Sequence, residues 1–136
     1  MTAAEMAALH ALCFTTPRPW SEAEISELLS SRFCFAINAV SGFALGRVVA
    51  GEAELLTIAV DPAARKHGIG SGLMRDFLAE AAKRGADSVF LEVADFNTPA
   101  HRLYLTSGFT ETARRRGYYH APDGTRSDAI VMARAI

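Results

Sequence analysis

The stretch from Glu54 to Val93 restricts the fold most. It reads as a β run (ELLTIAV), a proline and glycine turn (DPAARKHGIGSG), an amphipathic segment and a second β run (SVFLEV). Pro62 cannot continue a ladder and biases Asp61 to extended geometry, so the first run ends at Val60. After the turn, Ile69, Leu73, Met74, Phe77, Leu78 and Ala81 recur at helical spacing, the stripe of a helix with one buried face. Gly85 is placed to close that helix. Strand, helix, strand at this spacing predicts a parallel pair joined by a right-handed crossover.

The flanking segments fit around that unit. Ala3–Phe14 carries Met6, Leu9, Leu12 and Cys13 at helical spacing, and Pro17 and Pro19 stop it. Ser21 reads as the N-cap of a second helix, with Glu22 and Glu24 in the first turn and Ile25, Leu28 and Leu29 as its buried stripe. Phe33–Ala39, Gly42–Val49 and Glu54–Val60 are separated by Ser41-Gly42 and Gly51-Glu52 and predict an antiparallel meander. A short helix with Thr98 capping and Pro99 in its first turn ends at Gly108. Phe109–Tyr119 and Ser127–Ala133 pair around Asp123-Gly124. The fold class is α+β (mixed α/β): a mostly antiparallel sheet with one parallel crossover and helices on both faces.

At 136 residues the chain has the length of one domain, spanning residues 1–136. A formal net charge of −1 gives no reason to expect nucleic acid or an anionic membrane as partner. Cys13 and Cys34 lack CxxC spacing and read as buried thiols of a reducing compartment. The N-terminus has no secretory pattern, and no apolar run is long enough to span a bilayer, so a cytoplasmic protein is expected. His10, His67, His101 and His120 have no metal-ligand spacing; His67 reads as a loop residue and the others as surface, with no metal.

The turn R-x-x-G-x-G (Arg65, Gly68, Gly70) opens a helix and suits an anion. A Walker A loop fails because Gly70 precedes Ser71 and Gly72, and a dinucleotide fingerprint fails because Leu73 stands at its third glycine. Converging backbone amides and the helix N-terminus fit a pyrophosphate; glycines that only permit close packing are the alternative. Glu92 is the one ionisable residue in Val89–Val93. It faces solvent, or it stands in a cleft where desolvation makes a carboxylate an effective base near neutral pH.

VDPxxRxxGIGxGL resembles the acetyl-CoA-binding motif of the GNAT superfamily of N-acetyltransferases. PWSEAEI, LLTIAVDP, LEVADFNTPAHRLYLTSGF, RRRGYY and DGTRSDAIVM are similar to the branch that acetylates N-terminal alanine of ribosomal proteins. The resemblance runs from about Pro17 to the C-terminus. It implies acetyl-CoA as co-substrate and a protein or peptide N-terminus, that of a ribosomal protein, as partner. It implies a pantetheine arm on the backbone of Ile58, Ala59 and Val60. The pyrophosphate would lie on the turn formed by Arg65, Lys66, His67, Gly68, Ile69, Gly70 and Ser71, with Asn97 also contacting CoA. It makes Glu92 the general base and Tyr104 the acid for the leaving thiolate. Read without it, Tyr104 is a core aromatic and Asn97 a capping residue; Tyr118 and Tyr119, with Arg114 to Arg116 on the last hairpin, either line a peptide groove or form part of an exposed ribbon. Family members usually begin with a β-strand ahead of the first helix, and this chain begins at the helix, so either an exposed sheet edge or an alternative N-terminal packing is expected.

An α-amine is neutral about 10% of the time at pH 7 and a lysine about 0.04%. That difference favours an N-terminal amine, with lysine, polyamine or small-molecule acceptors as the alternative. A regulatory module that binds acyl-CoA without turnover is the second alternative. Neither cysteine has a paired base, so direct transfer is expected rather than an acyl-cysteine.

Overall fold

The computed structural model describes residues 1–136. The order is α1 (Ala3–Cys13), α2 (Glu22–Ser30), β1 (Cys34–Ala39), β2 (Gly42–Val49), β3 (Glu52–Val60), a 3-10 turn (Pro62–Ala64), α3 (Ile69–Lys83), β4 (Ser88–Ala94), α4 (Thr98–Thr106), β5 (Thr110–His120) and β6 (Arg126–Ala135). The strands form a single sheet in the order β1-β2-β3-β4-β6-β5. Only β3 and β4 pair in parallel, as the crossover requires. β1 and β5 are the edges.

Helices cover both faces. α3 and α4 bury Met74, Phe77, Ala81 and Tyr104 against Ala44, Leu55, Val89, Leu91, Ile130 and Met132. On the opposite face α1 and α2 bury Met6, Leu9 and Ile25 against Phe43, Leu45 and Ala59. Both N-terminal helices open with a reciprocal capping box, Thr2 with Glu5 and Ser21 with Glu24, which satisfies two orphan amides at each start. Arg18 forks onto the Glu24 carboxylate at 2.8 and 2.9 Å, so much of PWSEAEI serves to start α2.

β3 changes face partway along. Ala53 and Leu55 enter the α3/α4 core, whereas Thr57 bonds to α1 and Ala59 enters the α1/α2 core. The register explains this: Leu45 faces Thr57 and Gly46 faces Leu55, leaving Leu56 as an extra residue. This β-bulge bends the strand and reverses its alternation. The parallel ladder ends at the same place, with Leu55 opposite Leu91 as its last pair. Beyond it, β3 and β4 diverge.

Two sequence expectations are corrected. His10 is not a surface residue but 2% exposed. Its Nδ1 accepts the Trp20 amide at 3.1 Å and its Nε2 lies 3.0 Å from the Thr57 hydroxyl. Both ring nitrogens therefore have partners, and the ring stacks on Phe14 and Trp20, which makes burial affordable for an imidazole. Leu12 is 65% exposed rather than part of the stripe, because the buried face runs through Met6, Leu9, His10 and Cys13 at i, i+3, i+4, i+7 and leaves position 12 off it.

Candidate active site

The gap between β3 and β4 gathers most of the singled-out residues. The bond from the Asp61 amide to the Ser41 carbonyl, 2.8 Å, sets the alternation of the β2–β3 ladder. Ala59 then directs its amide and carbonyl to β2, while Ile58 and Val60 direct theirs toward the departing β4. The Val60 carbonyl accepts from Cys13 Sγ and Arg65 Nε, both at 3.3 Å. The Ile58 groups and the Val60 amide lie past the last β4 partner. Of the three residues, Ile58 and Val60 thus present backbone to the gap, and Ala59 supplies a buried methyl group on the α1/α2 side.

The glycine turn stands at the mouth of the gap. Lys66 and Gly68 have positive φ, 69° and 76°, the alternating geometry that turns successive amides inward. Gly68 is the N-cap of α3 and gives it no side-chain cap. The first helical bond runs from the Gly72 amide to the Gly68 carbonyl at 3.0 Å, so the amides of Ile69, Gly70 and Ser71 are the orphan donors of an uncapped terminus. Lys66, His67, Gly68 and Ser71 are exposed. Gly70 has a packing role as well: a Cβ there would meet Leu103 Cδ2 at 3.3 Å and Val60 Cγ2 at 4.0 Å, so α3 can approach both α4 and β3. At Gly70 the close-packing reading holds, while the turn at Gly68 leaves the first amides of α3 without a side-chain cap.

Glu92 lies one residue beyond Leu91, where β4 has left β3 but still pairs with β6 opposite Val131. Val89, Leu91 and Val93 point into the α3/α4 core, so alternation turns Glu92 to the α1/α2 face. There its Oε1 accepts from the Tyr119 hydroxyl at 3.1 Å, and Arg115 Nε stands 3.8 Å from Oε2. The two partners come from β5, the far edge of the sheet. Burial, and then the Glu92 charge, push the Tyr119 phenol well above its ordinary range, so it stays protonated and donates.

Tyr104 approaches from the other face. It is 6% exposed and packs edge-on against Phe109 with ring centroids 6.0 Å apart. No buried side-chain polar atom of the chain lacks a partner. Since the Tyr104 hydroxyl takes part in none of the hydrogen bonds, it retains access to solvent. Burial raises its pKa far above the phenol range. Asn97 is the N-cap of α4, its Oδ1 accepting the Ala100 amide at 3.3 Å; Thr98, expected as the cap, is the first helical residue. The capping oxygen is used, and the amide nitrogen of Asn97 is left to donate.

Tyr119 and Arg115 are the site residues that sequence reasoning did not assign to the carboxylate. The only signal was the RRRGYY stretch, whose register against β6 is not legible from spacing. Cys13 and Cys34 are free, half-buried and on different elements. No cluster of His, Cys, Asp or Glu is arranged to hold a metal ion.

The parallel strands β3 and β4 diverge past Leu55 and Leu91, the uncapped N-terminus of α3 opens beside that gap, and Glu92 stands on β4 just beyond it. The chain belongs to the acetyltransferase (GNAT) family, whose model matches residues 4–109. It is 40% identical over 119 residues to the ribosomal protein bS18–alanine N-acetyltransferase of Escherichia coli (strain K12), covering 85% of this chain and 80% of that protein. It is 36% identical over 137 residues to the N-alpha-acetyltransferase RimI of Mycobacterium tuberculosis (strain H37Rv), covering 94% and 83%. The crystal structure of the ribosomal-protein-S18-alanine N-acetyltransferase from Escherichia coli superposes with a TM-score of 0.80 at 36% identity, covering 96% of this chain and 86% of that one.

Proposed function

We propose that this acetyltransferase moves the acetyl group of acetyl-CoA to the α-amine of an N-terminal alanine on a ribosomal protein. The observation that supports this is the divergence of β3 and β4 past Leu55 and Leu91, with Glu92 just beyond it on one face of the sheet and Tyr104 in the core of the other. The names of the relatives set the acceptor, and the alkalinity difference between α-amines and lysines agrees with it.

The parts divide the work as follows. The turn amides of Lys66 to Ser71 receive the pyrophosphate, with Arg65 and His67 beside it. The unpaired backbone of Ile58 and Val60 takes the amide-rich pantetheine arm as a substitute strand, and the Asn97 amide nitrogen donates to CoA. The acetyl carbonyl then lies between the strands. The acceptor arrives on the α1/α2 face, where Glu92 takes a proton from its ammonium. The neutral nitrogen attacks the acetyl carbon and the N–C bond forms; the nitrogen then gives up its second proton to solvent as the C–S bond breaks. The electron pair leaves on sulfur and receives a hydrogen bond from Tyr104. A phenol at its ordinary pKa of 10 protonates a thiolate of pKa 8.5 at an uphill cost of about 2 kcal/mol. Burial of Tyr104 raises that cost, so Tyr104 stabilises the thiolate by hydrogen bonding and the final proton comes from solvent.

No helix is long and apolar enough to cross a membrane, and a ribosomal acceptor would agree with a cytoplasmic protein. The test is incubation with acetyl-CoA and a ribosomal protein fraction, followed by intact-mass spectrometry and an assay of released thiol. A gain of one acetyl group on an alanine N-terminus is the expected result. Thiol release with a polyamine or lysine peptide, and none with any alanine-starting peptide, would overturn the acceptor assignment. Binding of CoA without thiol release for any amine would overturn the enzymatic reading.

A further inference from the structure

We propose that Asp128 is a positioning residue for the transfer, acting from the face of the sheet opposite Glu92. The inference rests on the reading above that Glu92 and Tyr119 form the acceptor side of the site. Between Arg115 opposite Ala129 and Tyr119 opposite Ser127, β5 spends three residues, Arg116, Gly117 and Tyr118, while β6 spends one, Asp128. The two surplus residues rise into an arch. Gly117, at its centre, has φ +60°, the left-handed region where glycine carries no steric penalty.

The Asp128 carboxylate closes this arch. Its Oδ1 accepts the Gly117 amide at 2.9 Å and its Oδ2 accepts Arg114 Nη1 at 3.1 Å. Its backbone carbonyl accepts the Asp95 amide at 3.0 Å, just past the end of β4. One residue therefore joins the arch, the β5 strand and the β4 terminus. The Gly117 amide, and then the Arg114 guanidinium, hold the Asp128 carboxyl below the usual carboxylate range, so it is charged at working pH. β6 alternates regularly, with Ile130 and Met132 in the α3/α4 core; Asp128 shares their side, away from Glu92.

The arch decides where Tyr119 stands. Without it, continuous pairing from Arg115 and Ala129 would put Tyr119 opposite Thr125, in the hairpin turn. That is two residues, or about 7 Å, farther from Glu92 at the usual rise of a strand. A single tyrosine side chain cannot make up that distance and keep the 3.1 Å bond to Glu92. The arch draws the strand back, and the Asp128–Gly117 bond is what fixes it.

The experiment is steady-state kinetics of Asp128→Ala, Asp128→Asn, Tyr119→Phe and Tyr119→Phe/Asp128→Ala, with acetyl-CoA and a short peptide starting with alanine. If Asp128 acts through the arch, Asp128→Ala raises the peptide KM about tenfold, on the scale of lost outer-shell support, and leaves the acetyl-CoA KM within about twofold. Asp128→Asn, which keeps an oxygen for the Gly117 amide, recovers most of the loss. The double variant is no worse than the poorer single one, because the two residues act in series. Multiplying effects, equal rises in both KM values, or an Asp128→Asn variant as poor as Asp128→Ala would each overturn the proposal. If Asp128→Ala does not fold, amide hydrogen exchange decides: a Gly117 amide unprotected in the unsubstituted protein overturns the arch bond. Should the peptide not turn over while another amine does, the acceptor reading has failed, and the same variants are compared with that amine.

Discussion

The Tyr119 hydroxyl donates to Glu92 Oε1 at 3.1 Å, joining an edge strand to the strand that bounds the cleft. Arg115 stands 3.8 Å from the other oxygen. The carboxylate is thereby held in one orientation by two groups of β5, and it leaves lone pairs free for an incoming ammonium. A residue held this way is oriented before the acceptor arrives, which lowers the entropy lost in reaching the transition state.

Glu92→Gln keeps the size and the acceptor oxygen for Tyr119 but removes the base. Its kcat/KM for an alanine-starting peptide is expected to fall about 10²- to 10⁴-fold, the range for loss of general base catalysis. Tyr119→Phe leaves the base and removes its orientation, so a smaller fall of about tenfold is expected, concentrated in the peptide KM. Initial-rate measurements across pH check both. An unchanged rate for Glu92→Gln at every pH would end the base assignment.

Tyr104→Phe tests the thiolate contact. Removal of one donor to a developing charge costs up to about 10²- to 10³-fold in kcat where the site is dry. Burial raises the Tyr104 pKa, so the phenol stays protonated through the whole working range. The rate of the unsubstituted enzyme therefore shows no loss on the alkaline side from Tyr104 titration below about pH 10, the ordinary tyrosine value. An alkaline limb present in the unsubstituted enzyme and missing in Tyr104→Phe would show instead that Tyr104 passes its proton.

The crossover was legible because its signals are local. Pro62, the glycine turn and the Leu73–Phe77–Ala81 stripe each have one low-energy interpretation, and the mixed sheet follows from them. The bulge at Leu56 left no readable trace, since LLTIAV is an almost unbroken apolar run with no glycine or proline to mark it. Its position depends on where β2 pairs, a contact between separate segments. That bulge carries much of the site, because it ends the β3–β4 ladder and turns Thr57 toward α1. The same holds for Tyr119, whose neighbour Glu92 is 27 residues away. His10 read as surface because its partner Thr57 lies 47 residues off. Asn97 and Thr98 differ by one position as cap, an ambiguity that only backbone geometry resolves.

The buried imidazole of His10 makes stability depend on pH. Burial lowers its pKa to about 4, opposed in part by Glu24, against about 6.5 in an unfolded chain. The unfolded state therefore binds more protons between those values, and stability rises with pH there. The contribution is complete above about pH 6.5 and is lost as pH falls toward 4, by up to about 3 kcal/mol. Urea midpoints measured from pH 7 to 4.5 should fall in the unsubstituted protein. His10→Gln, which cannot titrate, should show a flatter profile across that window; parallel profiles would mean that other groups set the slope.

Gly68→Ala separates backbone strain from crowding. No atom lies within 4 Å of a Cβ at this position, but its φ is +76°. An alanine there is strained by roughly 1–2 kcal/mol, with no clash to relieve. The folded chain can release that strain only by moving the turn that opens α3, where the orphan amides of Ile69, Gly70 and Ser71 converge. The expected outcome is a modest drop in thermal stability, together with a rise of about tenfold in the acetyl-CoA KM, since each 1.4 kcal/mol lost from an anion cradle is a factor of ten. The peptide KM should hardly change, because the acceptor side of the site is built on β4 and β5. Calorimetry and a pair of substrate titrations measure the two effects separately, and a rise in the peptide KM alone would place the turn on the wrong substrate.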